Sequence, residues 1–363
     1  MMENLKILGA PGRYVQGQGA LTCLPELVGE LGASAYVLTD VVVGDLLGDV
    51  LSRSFEDAGI EVRFGLFTGE CTRVEIERQT DLARQAGSAV VVGVGGGKTI
   101  DTAKGVSLFL GLPLVVVPSV ASNDAPTSRL IVVYDADHRI SEVLKLPHNP
   151  AAVVADTRII ASAPPRFLIA GIGDALAKKF EAGQCARTGA LNFFGGLPTS
   201  TALLLCEACY TTIRRHGPDA VAAVREGRVD DSVEQIVEAT VLLSGLGFES
   251  GGLALAHGLN RGLTAQPETQ KALHGELVAW GLLVQLLAEG RDAAFMEDML
   301  GFYSAIGLPR SMADLGLVNP GEAVIDAIAT ITFEESPYLR NMERRLSAQD
   351  IAASIRELES LVI

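Results

Sequence analysis

Basic residues are scarce in this chain of 363 residues. Lysine and arginine together number 29 against 44 aspartates and glutamates, so the net charge is −15. Proteins that bind nucleic acid or an anionic membrane need clustered lysine and arginine to displace counterions from phosphates, and the sequence has no such cluster. We therefore expect neither nucleic acid nor a membrane as a partner. We interpret the acidity as a feature that keeps a cytoplasmic protein dispersed.

Long hydrophobic runs and a cysteine framework are also missing. The longest apolar stretches, such as Leu112 to Val117, are far shorter than the roughly 20 residues that cross a bilayer. The segment from Met1 to Pro11 lacks a basic end followed by a long apolar run, so we expect no secretory signal. The five cysteines are odd in number and scattered, which argues against a set of disulfides and for a reducing compartment.

The two halves of the chain differ in the spacing of their apolar residues. Up to about residue 160, short runs rich in β-branched residues alternate with amphipathic segments. Strands are predicted at 35–38, 61–67, 88–94 and 112–117, and helices at 42–58, 73–86 and 99–110. Continuous apolar strands separated by helices are typical of a parallel sheet that is covered on both faces.

After Pro164 and Pro165 the β-branched runs become rare and apolar residues recur at helical spacing. Helices are predicted at 168–188, 201–216 and 233–246, and further helices beyond them. The sequence therefore predicts a Rossmann-like α/β domain over residues 1–163 and an all-helical domain over residues 164–363. A cofactor and a substrate would bind in the groove between them.

A glycine-rich turn follows the third predicted strand and reads GVGGGKT from Gly93. Consecutive glycines let the backbone approach a diphosphate closely, and the helix that follows offers unpaired N–H groups. The dinucleotide fingerprint would need glycine where Lys98 stands, and the P-loop pattern would need glycine at Val92, so the turn fits neither. Phosphate binding is the favoured interpretation, and a tight strand–helix turn is the alternative.

Asp40 ends an earlier predicted strand in the segment YVLTD. An acidic side chain at such a position can bond a ribose 2′-hydroxyl and repel a 2′-phosphate, which favours NAD over NADP. An aspartate that caps a helix would occupy the same position, and the sequence leaves the two interpretations open.

Three side chains of the second half could hold a metal ion. Asp174, His257 and His274 each lie in a glycine-containing, apolar segment, and the whole chain has only five histidines. One carboxylate and two imidazoles suit Zn²⁺ or Fe²⁺ and leave positions open for a substrate oxygen. Taken singly, the three could be a capping aspartate, a hydrogen-bonded core histidine and a histidine at a helix start. No HExxH motif is present, and no histidine follows His274 to complete an Fe(II)-oxygenase triad.

Several longer stretches together resemble the glycerol dehydrogenase family of the iron-containing alcohol dehydrogenase superfamily. They are GGGKTIDTAK from Gly95, ASNDAPTSRL from Ala121, NPAAVVADTRIIASAPPRFLIAGIGDALA from Asn149, LLSGLGFESGGLALAH from Leu242 and LHGELVAWGLLVQL from Leu273. The resemblance implies the dehydroquinate synthase-like fold of that superfamily, with an N-terminal α/β domain and a C-terminal helical domain. It also implies a homo-oligomer, commonly an octamer.

The resemblance further implies the activity and the roles of individual residues. Glycerol or a related vicinal diol would be oxidised to the hydroxyketone, dihydroxyacetone from glycerol, by hydride transfer from a metal-bound alkoxide to NAD. Asp174, His257 and His274 would hold the metal, which is usually zinc in the family, with iron as the other possibility, and Asp124 would contact a substrate hydroxyl. The implied NAD contacts are Gly96, Gly97, Lys98 and Thr99 in the diphosphate turn, and Ser119, Ser122, Ser128, Leu130 and Tyr134 beyond it.

The chain departs from the family pattern at Asn123, Arg129, Asn260 and Leu277 and in the segment 334–341. Arg129 replaces a small residue, and it could recognise an anionic group near the cleft or be a solvated surface residue. Three alternatives to polyol oxidation follow. The first is a dehydrogenase or reductase of glycerol phosphate or a 2-oxo acid, and the second is a carbocycle-synthase-type lyase. The third is a non-catalytic scaffold.

Overall fold

The computed structural model describes residues 4–135 and 139–362. The strands in these ranges are β1 (Tyr14–Gly17), β2 (Ser34–Thr39), β3 (Glu61–Leu66), β4 (Val90–Gly95), β5 (Leu114–Pro118), β6 (Leu130–Tyr134), β7 (Ile140–Lys145) and β8 (Ala152–Asp156). The helices of the first half are α1 (Leu24–Gly29), α2 (Val41–Asp57), α3 (Arg73–Ala86), α4 (Gly97–Leu110) and α5 (Thr157–Ser162).

Six of the strands form one parallel sheet in the order β1-β8-β5-β4-β2-β3. Alternate residues of the central strands enter different apolar clusters. In β4, for example, Val91 packs into one cluster and Val92 into the cluster on the opposite face. Because both faces are covered, the central strands need apolar residues at every position, which is the continuous pattern seen in the sequence. The predicted parallel α/β sheet is confirmed.

The connections of the sheet create a crevice at its carboxyl edge. The chain passes from β2 outward to β3 and then returns to β4 on the other side of β2. Such a reversal separates the connections that leave β2 and β4, and ligands of open α/β sheets bind there. The residues at this point are Asp40, directly after β2, and Gly96, directly after β4.

Several elements of the first half, including helices α1 and α5, were not predicted, and the start of α4 differs from the prediction. Strands β1 and β8 extend the sheet at one edge, and β6 and β7 form a separate antiparallel hairpin. Helix α4 starts at Gly97, two residues before the predicted start, because the glycine run contains the first turn of the helix itself.

The described part of the chain after residue 163 is built from helices and turns. Its helices are α6 (Pro165–Thr188), α7 (Ser200–Arg225), α8 (Asp231–Val237), α9 (Ser244–Gly251), α10 (Leu255–Gly258), α11 (Asn260–Thr264), α12 (His274–Ala288), α13 (Ala293–Ile306), α14 (Glu322–Glu335) and α15 (Ala348–Leu361). Helix α7 continues past its predicted end through Pro218, and a π-helical segment, Glu238–Leu243, joins α8 to α9. The predicted helical half is confirmed, as is the fold class.

The two halves share their largest apolar cluster, which includes Val116 of the sheet and Leu283 of α12. A division into two domains near residue 163 therefore stays a prediction. Within the described ranges, no single helix is long and apolar enough to cross a membrane. One pair of segments, Asp231–Gly251 and Leu255–Thr264, has the length and composition of a membrane span only when the two are counted together, and they are bent by 93° at the break between them.

Candidate active site

A cavity of about 450 Å³ lies between the carboxyl edge of the sheet and the helical half. Asp124, His257 and His274 line it, and Asp174 lies fully buried behind them. All the residues predicted to contact NAD except Ser119 line the same cavity: Asp40, Gly96, Gly97, Lys98, Thr99, Ser122, Ser128, Leu130 and Tyr134. Ser119 lies at the end of β5, where its N–H donates to the Gly95 carbonyl at 3.0 Å.

The glycine turn leaves the start of α4 open to the cavity. Gly96 is the N-terminal cap of α4, and it provides no side-chain hydrogen bond to the first N–H groups of the helix. A Cβ atom on Gly97 would lie 2.9 Å from the Asn123 side chain, and one on Gly95 would lie 2.7 Å from Thr99. The turn therefore requires glycine for close packing, and its N–H groups can receive a diphosphate.

Two charged residues lie at this turn, Asp40 beside it and Lys98 within it. Asp40 caps α2, because its Oδ1 accepts the N–H of Val43 at 2.9 Å. The helix-cap interpretation is thus what the structure shows, although Asp40 also lines the cavity and its other oxygen lies 3.5 Å from the Thr99 hydroxyl. The Lys98 ammonium donates to Glu70 at 2.6 Å, so its charge is already paired.

The three predicted metal ligands converge from separate helices. One donor atom each from Asp174 on α6, His257 on α10 and His274 at the start of α12 lie within 4.8 Å of one another. The Nε2 atoms of His257 and His274 are 3.2 and 3.9 Å from Asp174 Oδ1. Asp174 Oδ2 is buried and has no hydrogen-bond partner in the described part of the chain. A divalent cation would supply that partner, so the residues present fit Zn²⁺ or Fe²⁺.

Two glycines bring these helices into contact. A Cβ atom on Gly171 of α6 would lie 1.9 Å from the carbonyl oxygen of Ala121, in the loop that carries Asp124. A Cβ atom on Gly275 of α12 would lie 1.9 Å from the carbonyl oxygen of Ala170 in α6. Any larger residue would separate the backbones, so these glycines set the distance between the donor side chains.

Glu181 holds the first histidine in place and was missed by the sequence reasoning. Its fully buried carboxylate accepts His257 Nδ1–H at 2.6 Å, and it also accepts the N–H groups of His257 and Ala254 at 3.0 and 2.8 Å. With Nδ1 as donor, the Nε2 lone pair of His257 is free to face a metal. Burial lowers the pKa of His257, but the charge of Glu181 and the hydrogen bonds to Asp174 and Glu181 together outweigh burial, so the pKa is raised.

Lys178 was also missed, and it lies among the donor atoms. Its fully buried ammonium is 2.5 Å from Asp174 Oδ1, 3.0 Å from His257 Nε2 and 3.2 Å from Asp124 Oδ2. Burial opposes both charges, yet the Lys178 ammonium holds the pKa of Asp174 well below its usual range. A sequence signal existed for both missed residues, because Lys178 and Glu181 follow Asp174 by four and seven positions on one helix face.

Asp124 connects the metal region to the open part of the cavity. Its carboxylate accepts the Ser244 hydroxyl at 2.6 Å and pairs with Lys178. Burial raises the pKa of Asp124, and the nearby charge of Asp174 adds to that rise. A buried carboxylate that lines the cavity can accept a hydrogen bond from a substrate hydroxyl.

Arg129 does not line the cavity. Its guanidinium donates to the Phe193 carbonyl at 2.6 Å, lies 4.3 Å from the centre of the Phe194 ring and is 3.6 Å from Glu249. The side chain is only 16% exposed, so it is neither an anion-binding group of the cleft nor a solvated surface residue. Of the other departures, Asn123 and Asn260 line the cavity and Leu277 is buried in α12.

Comparisons with known proteins agree with this arrangement. Residues 11–157 match the family model of the iron-containing alcohol dehydrogenases. A glycerol dehydrogenase from Pseudomonas putida is 40% identical over 356 residues, 98% of both chains. A glycolaldehyde reductase from Halobacterium salinarum is 40% identical over 335 residues, 92% of both chains. The crystal structure of glycerol dehydrogenase from Schizosaccharomyces pombe has a TM-score of 0.95 at 33% identity, and the match covers 99% of this chain and 91% of that one.

Proposed function

The chain belongs to the glycerol dehydrogenase family of the iron-containing alcohol dehydrogenases, and we propose that it oxidises glycerol or a related vicinal diol with NAD⁺. The observation that carries the proposal is a single cavity. It brings an uncapped glycine turn for a diphosphate together with a carboxylate–imidazole set for a metal and a buried carboxylate for a hydroxyl.

Asp174, His257 and His274 would hold the metal. When bound, it supplies Lewis acidity that lowers the pKa of an alcohol. Glu181 keeps His257 in the tautomer that presents Nε2 to the site. Asp124, held by Ser244 and Lys178, orients the neighbouring hydroxyl of the diol.

The turn from Gly96 to Thr99 binds the diphosphate and so fixes the nicotinamide against the substrate. Bound NAD⁺ would supply the nicotinamide as the hydride acceptor, the turn and Asp124 would orient cofactor and substrate for the transfer, and the hydroxyl proton would pass to solvent. The product is the hydroxyketone, which is dihydroxyacetone when the substrate is glycerol.

Several finer properties are part of this proposal. We propose Zn²⁺ as the metal, because a carboxylate and two imidazoles suit it, although the same donors would accept Fe²⁺. Asp40 at the end of β2 supports NAD over NADP. A cytoplasmic location is supported by the five cysteines, which are all free. The resemblance to the family supports a homo-oligomer, an octamer in the family's usual form.

The test is an assay of NADH formation by the metal-reconstituted protein with glycerol, 1,2-propanediol, glycerol phosphate and lactate side by side. Glycolaldehyde with NADH should be included, because one relative at 40% identity is a glycolaldehyde reductase. We expect metal-dependent activity on the diols that His257→Ala abolishes. Activity restricted to the anionic substrates would overturn the proposal that the substrate is a diol. Substrate consumption without net formation of NADH would favour the lyase.

A further inference from the structure

Arg261 lies in the cavity wall one helical turn beyond a predicted metal ligand. Helix α10 contains His257 and α11 contains Arg261, and Leu259 between them has helical backbone angles. Residues four apart on a helix share a face and are separated by roughly 6 Å along its axis. Both residues line the cavity, and so does Asn260 between them. The helical half therefore presents a guanidinium next to the metal region.

This guanidinium lacks the carboxylate partner that the other cavity cations have. Lys98 is paired with Glu70, and Lys178, just behind the wall, is paired with Asp124 and Asp174. In the described ranges Arg261 forms no ion pair, and its one side-chain hydrogen bond is a long one, 3.4 Å from Nη1 to the carbonyl oxygen of Ile140. A half-buried arginine that has no carboxylate partner can bind an anion without first breaking an ion pair.

Arg261 reaches the cavity from the helical half of the chain, whereas the glycine turn belongs to the sheet half. Ile140, which Arg261 contacts, begins strand β7, and β7 pairs with β6, which ends at Tyr134. The Tyr134 N–H donates to the Cys71 carbonyl at 2.8 Å, next to the Glu70 that pairs with Lys98. The hairpin thus connects the side of the cavity that holds the turn with the side that holds Arg261.

The proposed reaction brings one anion into this cavity. Glycerol and other simple diols are neutral, whereas NAD⁺ carries a diphosphate, and the chain itself has a net charge of −15. Among the aspartates of the lining, Asp101 and Asp124 are already paired with lysines, whereas Asp40 forms no ion pair in the described ranges. A diphosphate in such surroundings needs a cation that is not already neutralised.

Resting on the proposed function, we propose that Arg261 binds the diphosphate of the dinucleotide from the helical wall, together with the Gly96–Lys98 turn. The cofactor is then held by groups from both halves of the chain. A bidentate contact of a half-buried guanidinium with phosphate oxygens changes affinity by about 10- to 100-fold.

The test measures binary binding by titration calorimetry, with NAD⁺, ADP-ribose and adenosine as probes. In Arg261→Gln, the Kd for NAD⁺ and for ADP-ribose should rise about 10- to 100-fold, while the Kd for adenosine, which has no phosphate, stays the same. Arg261→Lys should recover part of the loss. The matched control is Arg340→Gln, which removes the same charge from an exposed position outside the cavity.

Two results would overturn the proposal. One is NAD⁺ and ADP-ribose affinity in Arg261→Gln within twofold of the wild type, with an unchanged melting temperature. The other is a loss confined to kcat/KM for glycerate or glycerol phosphate at saturating NAD⁺, which would assign Arg261 to an anionic substrate instead. The proposed function fails separately, if wild-type protein binds NAD⁺ but oxidises no diol.

Discussion

Replacing Glu181 by glutamine tests whether the metal site depends on a correctly oriented histidine. One oxygen of the carboxylate accepts two backbone N–H groups, from Ala254 and His257, and the other accepts the His257 ring at Nδ1. Glutamine has the same shape, but only one oxygen. If that oxygen keeps the two backbone bonds, the amide NH₂ faces Nδ1 of the histidine.

The histidine must then accept at Nδ1 and carry its proton on Nε2. That proton points at Asp174 and occupies the lone pair that a metal needs. Loss of such a supporting carboxylate typically costs 10- to 100-fold in metal affinity, so we expect Glu181→Gln to bind zinc about 10- to 100-fold more weakly. If the amide turns the other way, both backbone donors lose their acceptor in a buried site, which costs about 1–3 kcal/mol of folding free energy for each.

Zinc affinity should be measured by competition with a chromophoric chelator, and the free energy of unfolding by denaturant titration of the same samples. Glu207→Gln is the control. It makes the same chemical change at a glutamate that is exposed and paired with Lys179 on the surface. A Glu181→Gln protein that binds zinc within twofold of the wild type and keeps its stability would refute the reasoning.

Four further predictions concern the same site. Asp124→Asn should lower kcat/KM for glycerol by about 10- to 100-fold at saturating NAD⁺, because a hydrogen-bond acceptor of the substrate is weakened, while calorimetry shows unchanged NAD⁺ affinity. Lys178→Met should tighten zinc binding by about tenfold in chelator competition, because the ammonium no longer shares the donor atoms. Arg129→Ala should lower the free energy of unfolding by about 1–3 kcal/mol without changing the ratio of kcat/KM for glycerol and glycerol phosphate. Zinc affinity should fall as the pH decreases toward and below the ordinary His pKa of 6.5. Because the pKa of His257 is raised, a proton competes with zinc for Nε2 already above that pH. Glu181→Gln removes one cause of the raised pKa, so the loss of zinc affinity should occur at lower pH.

Strands β2 to β5 could be predicted from the sequence, whereas β1 and β8 at one side of the sheet could not. Strands β2, β4 and β5 are buried on both faces, so their apolar runs stand out between amphipathic helices. Strand β1 is only half-buried along its four residues, and β8 has five residues that continue directly into α5. Runs this short carry no periodicity that separates a strand from the start of a helix.

The predicted metal ligands could not be grouped into one site from the local sequence pattern alone. Asp174, His257 and His274 are far apart in the chain, and nothing in their spacing shows that α6, α10 and α12 meet. Their residue types made them candidates, the resemblance to a family implied that they hold a metal, and the structure places their donor atoms together. No sequence motif marks Arg261. Whether its guanidinium has a carboxylate partner depends on how the chain folds, which the sequence pattern does not show.

One face of α6 organises the whole site. Asp174, Lys178 and Glu181 stand at intervals of four and three residues, so their side chains leave the same side of the helix. Asp174 offers a donor atom, Lys178 extends to Asp124, and Glu181 extends to His257. The proposed metal site, the position of Asp124 and the tautomer of His257 therefore all depend on a single helix. A substitution at any of the three changes the electrostatic balance of the others, so double-mutant effects among them should be strongly non-additive.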